Sequence, residues 1–328
     1  MTSAPAAAGP PATGRRTVPT VWLVFLTAAL MGGNYVAIKE ALAYSTPIAL
    51  TALRALLGGV ALGAFARLRG ERFPRDAVSW RAIVIASTFI TTTSSVLLVS
   101  GTKQVPSGLA ALLSATMPLF AALGALLLLG ERPDRSARAG LAVGVVGAAV
   151  LASPAIAGRT SLGGVMLLLA ATATWAIGVV LQKKLHTTPV SPVMFVACQL
   201  AVSAVVVGAL AAVVEGADGI EPGRGLLLPL LYSAIPAMAV PFSLVATVLR
   251  RAPAYQGAAV AYLIPLFGLL ASWLVRGERL EAAELVGGLL VVGGVVLVNR
   301  PRPGAVQAAG ASGASGDTAD TTSRSRSS

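Results

Sequence analysis

The sequence predicts an all-α integral membrane protein with ten transmembrane helices arranged as two inverted five-helix repeats. Three observations support this: few charged residues, ten apolar runs of near-spanning length, and an internal repeat. Of 328 residues, 55% are hydrophobic and 12% are charged, whereas a soluble domain carries roughly 25% charged residues. Because each span takes about 20 residues, little folded mass is expected outside the bilayer.

The apolar runs follow one another with short polar connections. Most have the length that crosses about 30 Å of hydrocarbon, although the fifth and tenth are short. Residues 1–17 and 301–328 are rich in small and polar residues and are predicted to be disordered. The ten runs are 18–38, 47–66, 82–101, 107–129, 137–153, 161–181, 191–213, 226–248, 254–275 and 282–299.

The distribution of Lys and Arg between the connections predicts the orientation. With both termini in the cytoplasm, 18 of the 25 basic residues lie on the cytoplasmic side, six lie opposite, and Arg54 lies within a span. Cytoplasmic loops of membrane proteins carry such an excess. We therefore expect a multi-pass protein of the cytoplasmic (inner) membrane with both termini inside.

An internal repeat divides the chain into residues 18–153 and 154–300. A shift of 147 positions aligns 111–147 with 258–294 without a gap, and 12 of the 37 pairs are identical, including two ordered triplets, Pro-Leu-Phe and Gly-Glu-Arg. Five spans per repeat is an odd number, so the second copy enters the membrane from the opposite side. Inverted repeats are typical of transporters that work by alternating access.

Composition also excludes several classes of function. One cysteine, Cys198, and one histidine, His186, leave no disulfide and no His/Cys metal site. The net charge of +12 is spread over short loops, so no nucleic-acid partner is expected. The chain has no phosphate-binding G-x-x-x-x-G-K-[ST] motif, so no cofactor or ATP-driven step is expected. The expected partners are a small-molecule substrate and the lipid bilayer, and a homodimer is left open.

Several segments resemble the EamA-type transporters of the drug/metabolite transporter superfamily. They are MGGNYVAIK at 31–39, TALRALLGG at 51–59, SGLAALLSATMPLFAALGALLLLGER at 107–132 and AAVAYLIPLFGLLASWLVRGER at 258–279. The resemblance implies ten spans in two homologous halves. Members of this family transport substrates that range from amino acids to drugs. Met31 stands where a tryptophan is usual, while the second half keeps Trp175.

Polar and aromatic residues inside spans are the candidates for substrate binding. Arg54 lies deep in the second span, where a charge costs at least about 2.5 kcal/mol unless it faces a cavity or a partner. Arg54 could either pair with a neighbouring group or bind a ligand. Trp175 could either pack against other helices or wall a binding cavity. The candidates are Asn34, Arg54, Trp175, Gln199, Tyr255 and Tyr262.

Paired features of the two repeats are the candidates for helix breaks and gating. Pro118 and Pro265 fall inside the fourth and ninth spans, where each removes a helical hydrogen bond. Glu131 and Glu278 end the same spans, and interfacial pairing with the next arginine is the alternative to gating.

Together these features favour a secondary transporter, not an enzyme, that exports a small carboxylate-bearing metabolite such as an amino acid. Arg54 supplies a positive charge for a carboxylate, and no carboxylate lies at mid-membrane depth to pair with a cationic drug. An exporter of amphipathic drugs is the alternative. A polytopic membrane enzyme and a channel are weaker alternatives: the large catalytic loops of such an enzyme are missing, and a channel would be favoured by flux far faster than alternating access permits.

Overall fold

The computed structural model describes residues 20–130, 134–184, 189–216, 219–242, 244, 254–279 and 281–298. Within these ranges, the side chains of 20, 21, 23, 24, 183, 184 and 254–262 are outside the description. The terminal segments 1–17 and 301–328, for which we predicted disorder, also lie outside it.

The described part of the chain is helical and contains no strand beyond an isolated bridge between Ser45 and Ile220. The helices begin and end within a few residues of the apolar runs. They are α1 (Thr20–Ala41), α2 (Pro47–Leu68), α3 (Ala77–Gln104), α4 (Ser107–Leu129), α5 (Arg135–Ile156), α6 (Leu162–Lys184), α7 (Pro192–Val214), α8 (Arg224–Phe242), α9 (Ala254–Arg276) and α10 (Ala282–Val298).

Length and apolar composition allow many of these helices to cross a bilayer. Seven in the described part of the chain are long and apolar enough, namely α2 to α8. Leu263–Arg276 of α9 and α10 are apolar but shorter stretches. The fold class predicted from the sequence, an all-α membrane protein, is therefore confirmed at this level.

In the part of the chain that the structure describes, three helices contain irregular turns. Ser87–Thr93 in α3 and Ile235–Ala239 in α8 form π-helical turns, which are frequent at functional sites. The α4 segment breaks between Ser114 and Met117 and then continues to Leu129.

Local sequence signals explain where several helices begin and end. Asp134 and Ser191 each accept a hydrogen bond from a first-turn amide, which caps α5 and α7. Gly130 and Gly277 follow the last residues of α4 and α9 with φ of 69° and 63°. A left-handed residue at this position ends a helix, and glycine adopts it without a Cβ penalty.

Close helix packing relies on glycine where α5 meets α10. A Cβ on Gly140 would lie 2.5 Å from the carbonyl oxygen of Gly294, and one on Gly147 would lie 2.6 Å from the amide nitrogen of Val291. The two backbones therefore touch, as small residues allow in membrane helices. The other large interfaces between the two halves join α2 to α7, α1 to α9, α3 to α6 and α4 to α6.

The bundle has two ends, which we call the near side and the far side. On the near side, where α1 begins, Ser136 at the start of α5 donates to the Leu297 carbonyl at the end of α10. On the far side, Ser161 before α6 donates to Gln104 at the end of α3, and Arg159 pairs with Glu281.

Candidate functional site

A cavity of about 570 Å³ lies inside the bundle. It extends from Arg54 in the middle of α2 to Leu129 and Val298, the last residues of α4 and α10 on the near side. Its walls are mostly apolar, with a few polar groups, as in many small-molecule sites. The polar lining residues are Asn34, Tyr35, Arg54, Ser94, Ser95, Ser114, Thr172 and Trp175.

Arg54 is the charged group of the cavity. It is 2% exposed, and its Nη2 donates to Asn34 Oδ1 at 3.0 Å and to the Ser233 carbonyl at 3.5 Å. Within the described part of the chain, its buried Nε has no hydrogen-bond partner. A buried N–H without a partner costs about 1–3 kcal/mol, so the guanidinium retains donor capacity for a ligand.

The lining explains why Arg54 keeps that capacity. No Asp or Glu is among the described residues that line the cavity. The described part of the chain also contains no group of three or more His, Cys, Asp or Glu residues that could hold a metal ion. Among the described residues, the hydrogen bonds of this fixed positive charge therefore go to a neutral amide and a backbone carbonyl.

An aromatic pair forms part of the apolar wall. The rings of Trp175 in α6 and Phe242 in α8 lie 5.8 Å apart at 49°. Met31 of α1 also lines the cavity, and it is the residue that stands opposite Trp175 when MGGNYVAIK is aligned with WAIGVVLQK at 175–183. One of two related positions thus carries a bulky ring and the other a flexible thioether.

Serine and threonine residues of α3 form hydrogen bonds with α7, and some of them line the cavity. Ser87 Oγ donates to the Gln199 carbonyl at 2.9 Å, and Ser203 Oγ donates to the Thr91 carbonyl at 3.0 Å. These bonds join the π-helical turn to its neighbour, as Ser and Thr commonly do between membrane helices. Ser94 and Ser95, which follow the turn, line the cavity.

The cavity unites some of the residues predicted from the sequence. Asn34, Arg54, Trp175 and Pro118 line it. Tyr255 and Tyr262 lie in α9, but their side chains are outside the description, and Glu131 lies outside the described residues.

Gln199, Pro265 and Glu278 are not among the described residues that line the cavity. Gln199 is buried in α7 but is absent from the lining, and its backbone carbonyl accepts a hydrogen bond from Ser87 of α3. Pro118 lies in the first turn after the break of α4, whereas Pro265 lies inside α9. Glu278 lies at the far side, where it accepts hydrogen bonds from Ser107 and Arg276.

Some lining residues were not among the sequence candidates. Tyr35, Met117, Thr172 and Phe242 contribute to the wall. Tyr35 and Met117 are adjacent in sequence to the candidates Asn34 and Pro118, and this adjacency is the signal that points to them. No sequence signal marks Phe242, because its position depends on the π-helical turn that precedes it.

Similar proteins place the chain in a family. The EamA-like transporter family matches residues 18–153 and 162–300. The "Probable amino-acid metabolite efflux pump" of Salmonella typhimurium is 28% identical over 84% of this chain and 93% of the relative. The "Probable terminal-alkyne amino-acid exporter" of Streptantibioticus cattleyicolor is 30% identical over 85% of this chain and 93% of the relative.

A solved crystal structure shares the fold. It superposes with a TM-score of 0.58 at 19% identity, over 84% of this chain and 96% of that chain. The two family matches cover both halves of the apolar core, and the helical membrane fold agrees with them. The chain is therefore a membrane transporter, not an enzyme, and belongs to the EamA-like transporter family.

Proposed function

We propose that the protein is a secondary transporter that exports a small carboxylate-bearing metabolite, such as an amino acid, by alternating access. The observation that carries this proposal is Arg54, a buried cation lining the cavity with an unpartnered Nε and no carboxylate among the described lining residues. A guanidinium binds a carboxylate through two parallel hydrogen bonds. The names of two relatives, a probable amino-acid metabolite efflux pump and a probable terminal-alkyne amino-acid exporter, agree with this substrate class.

The apolar part of the cavity wall defines the rest of the proposed substrate. Trp175, Phe242 and Met117 give an apolar surface of aromatic and flexible side chains. Ser94, Ser114 and other neutral groups supply hydrogen bonds without charge. The substrate is thus small, negatively charged at one end and apolar at the other.

Symmetry of the packing supports alternating access between two inverted halves. When α1–α5 are matched in order with α6–α10, the α1–α9 interface corresponds to α6–α4, and α2–α7 and α5–α10 correspond to themselves. Adding 147 to residues 87–93 gives 234–240, a range that encloses the second π-helical turn, Ile235–Ala239. We therefore propose that α1 to α10 all cross the membrane and that the halves exchange conformations.

The basic loops set the proposed orientation. With both termini in the cytoplasm, the near side is cytoplasmic, and the cavity reaches the ends of α4 and α10 on that side. This arrangement would load substrate from the cytoplasm. A phosphatase fused to the C-terminus should be inactive, and activity in the periplasm would refute both the orientation and the inward loading.

Transport by purified protein in proteoliposomes tests the substrate class. Arg54→Gln should strongly slow a transported carboxylate and leave its primary amide, a poor substrate, unchanged. Arg67→Gln, an exposed arginine on the same helix, is the matched control and should transport normally. If Arg54→Gln slows transport of the carboxylate and of the amide equally, or slows neither, Arg54 does not recognise the carboxylate.

The same assay separates the alternatives. Saturable uptake with counterflow distinguishes a transporter from a channel. Because the cavity wall is mostly apolar, export of amphipathic drugs is the second candidate. Equal transport of carboxylate, amide and lipophilic cation by the wild type would favour it.

A further inference from the structure

The cavity is closed toward the far side by tightly packed helix ends. On α4 the lining begins at Ser114, whereas the preceding residues from Ser107 to Leu113 are all buried. On α1 the lining ends at Tyr35, and the next three residues are buried. A substrate in the cavity therefore has to displace the far-side ends of α1, α4 and α9 to leave in that direction.

A polar cluster joins these same ends. We call it the far-side lock, and its members come from α1, from the start of α4 and from the end of α9. No described residue of this cluster lines the cavity. The members are Lys39, Glu40, Ser107, Ser272, Arg276 and Glu278.

Glu278 is the centre of the lock. Gly277 turns the chain back in a left-handed conformation, and Glu278 Oε2 then accepts from Ser107 Oγ at 2.9 Å and from the Gly108 amide at 3.1 Å. It also accepts from Ser272 Oγ. A carboxylate at a helix N-terminus is favoured by the amides and the helix dipole, so Glu278 fastens the end of α9 to the start of α4.

Arg276 and Lys39 extend the lock to α1 and α3. Arg276 Nε donates to Glu278 Oε1 at 2.8 Å, and its Nη1 pairs with Glu40. Lys39 Nζ donates to the carbonyls of Thr102 and Val105 at 2.9 and 2.7 Å. Four helices are thus held together by charged groups at one end of the bundle.

The ionised form of Glu278 is the one that the lock requires. Partial burial raises the pKa of its carboxyl, but hydrogen bonds from Ser272, the Gly108 amide, Arg276 and Ser107 outweigh this and lower the pKa below its usual value. Charge-assisted hydrogen bonds of this kind are stronger than neutral ones.

We propose that the far-side lock is the gate on the exit side of the transporter, and that its hydrogen bonds to Glu278 break each time the cavity opens there. The proposal rests on the alternating-access function proposed above. An ordinary interfacial ion pair would have no effect on access to the cavity. If the lock is a gate, substitutions that weaken the hydrogen bonds to Glu278 should shift the population toward the state open to the far side.

Access of a reagent to the cavity tests the gate without a known substrate. A Cys198→Ala chain carrying Ser95→Cys in the cavity is labelled with a membrane-impermeant thiol reagent in right-side-out and inverted vesicles. Arg72→Cys in the near-side loop, in a separate chain, identifies which vesicles expose the near side. The parent should label faster from the near side.

Glu278→Gln should raise far-side labelling several-fold and lower near-side labelling. Arg276→Gln should act in the same direction, so the test survives if one variant fails to fold. Glu281→Gln is the matched control, because this glutamate lies in the same loop but pairs with Arg159 instead. It should label like the parent.

The outcomes separate the gate from the transport mechanism. Unchanged labelling in both Glu278→Gln and Arg276→Gln would overturn the gate while leaving alternating access intact. Rapid labelling of the parent from both sides would refute alternating access itself. An equal rise in Glu281→Gln would show that the loop, not the lock, controls access, and would also overturn the proposal.

Discussion

The contact between α5 and α10 gives a sharp stability prediction. An alanine Cβ at position 147 would lie 2.6 Å from the amide nitrogen of Val291 and 2.9 Å from the carbonyl oxygen of Gly287. Ordinary contacts begin at 3.4 Å; these two atoms belong to the backbone, and the third obstructing atom is the Cβ of Leu290 at 2.9 Å. The helices therefore have to separate by about 1 Å, a gap that forfeits much of the dispersion energy along the interface.

Two effects set the size of the change. Overpacking of a tight interior costs about 1–3 kcal/mol, while replacing a helical glycine by alanine gains about 1 kcal/mol. Gly63→Ala is the matched control, because a Cβ there meets nothing within 4 Å. The helix-propensity gain cancels between the two variants, so Gly147→Ala should be less stable than Gly63→Ala by about 1–3 kcal/mol.

Thermal unfolding of the purified variants in one detergent measures this difference. Gly63→Ala should melt at or above the melting temperature of the parent. Gly147→Ala should melt several degrees below Gly63→Ala. Equal melting temperatures for the two variants would show that the α5–α10 contact is looser than the structure has it.

Four further outcomes are expected. Pro118→Ala and Pro265→Ala should each slow transport at normal expression; wild-type rates in both single variants and the double variant would remove the prolines from the mechanism. Asp134→Ala should lower the free energy of unfolding by about 0.5–2 kcal/mol because α5 loses its N-cap, while Asp134→Asn should retain it; equal melting of the two would contradict the cap. Met31→Trp should fill part of the cavity and raise the KM for larger substrates more than for smaller ones. The ratio of far-side to near-side labelling should stay constant between about pH 6 and 8, because the pKa of Glu278 lies below the ordinary Glu value of about 4.3 and the carboxylate stays ionised; the rate itself rises with pH on both sides, since the thiolate is the reactive form.

The helices were predictable because the bilayer imposes a simple rule. Apolar runs near 20 residues mark candidate spans, and in the described part of the chain each run overlaps a helix. The repeated Gly-Glu-Arg triplet has a local reason, since Gly130 and Gly277 both end their helices with positive φ. The short polar connections left few alternatives for where the chain turns.

The lining of the cavity was less predictable because it depends on how helices rotate about their axes. Arg54 and Gln199 occupy related places in α2 and α7, yet only Arg54 lines the cavity. Gln199 is buried away from the lining, and its backbone carbonyl accepts from Ser87. Sequence position gives the depth of a residue in the membrane, but the packing partner decides which direction it faces.

The π-helical turns link this rotation to the site. Pro236 has no N–H, so the carbonyl four residues earlier, that of Tyr232, loses its α-helical donor. The wider turn Ile235–Ala239 follows from there, and the next carbonyl, that of Ser233, accepts from Arg54.

In α3 the related turn has no proline, and hydroxyl groups take part in the bonding instead. Ser87 Oγ donates to the carbonyl of Gln199, and the carbonyl of Thr91 accepts from Ser203. A carbonyl just before one irregular turn thus accepts a long hydrogen bond from Arg54, and the other turn is bonded to α7 next to Ser94 and Ser95, which line the cavity. The two turns therefore serve the cavity through different chemistry at related positions of the chain.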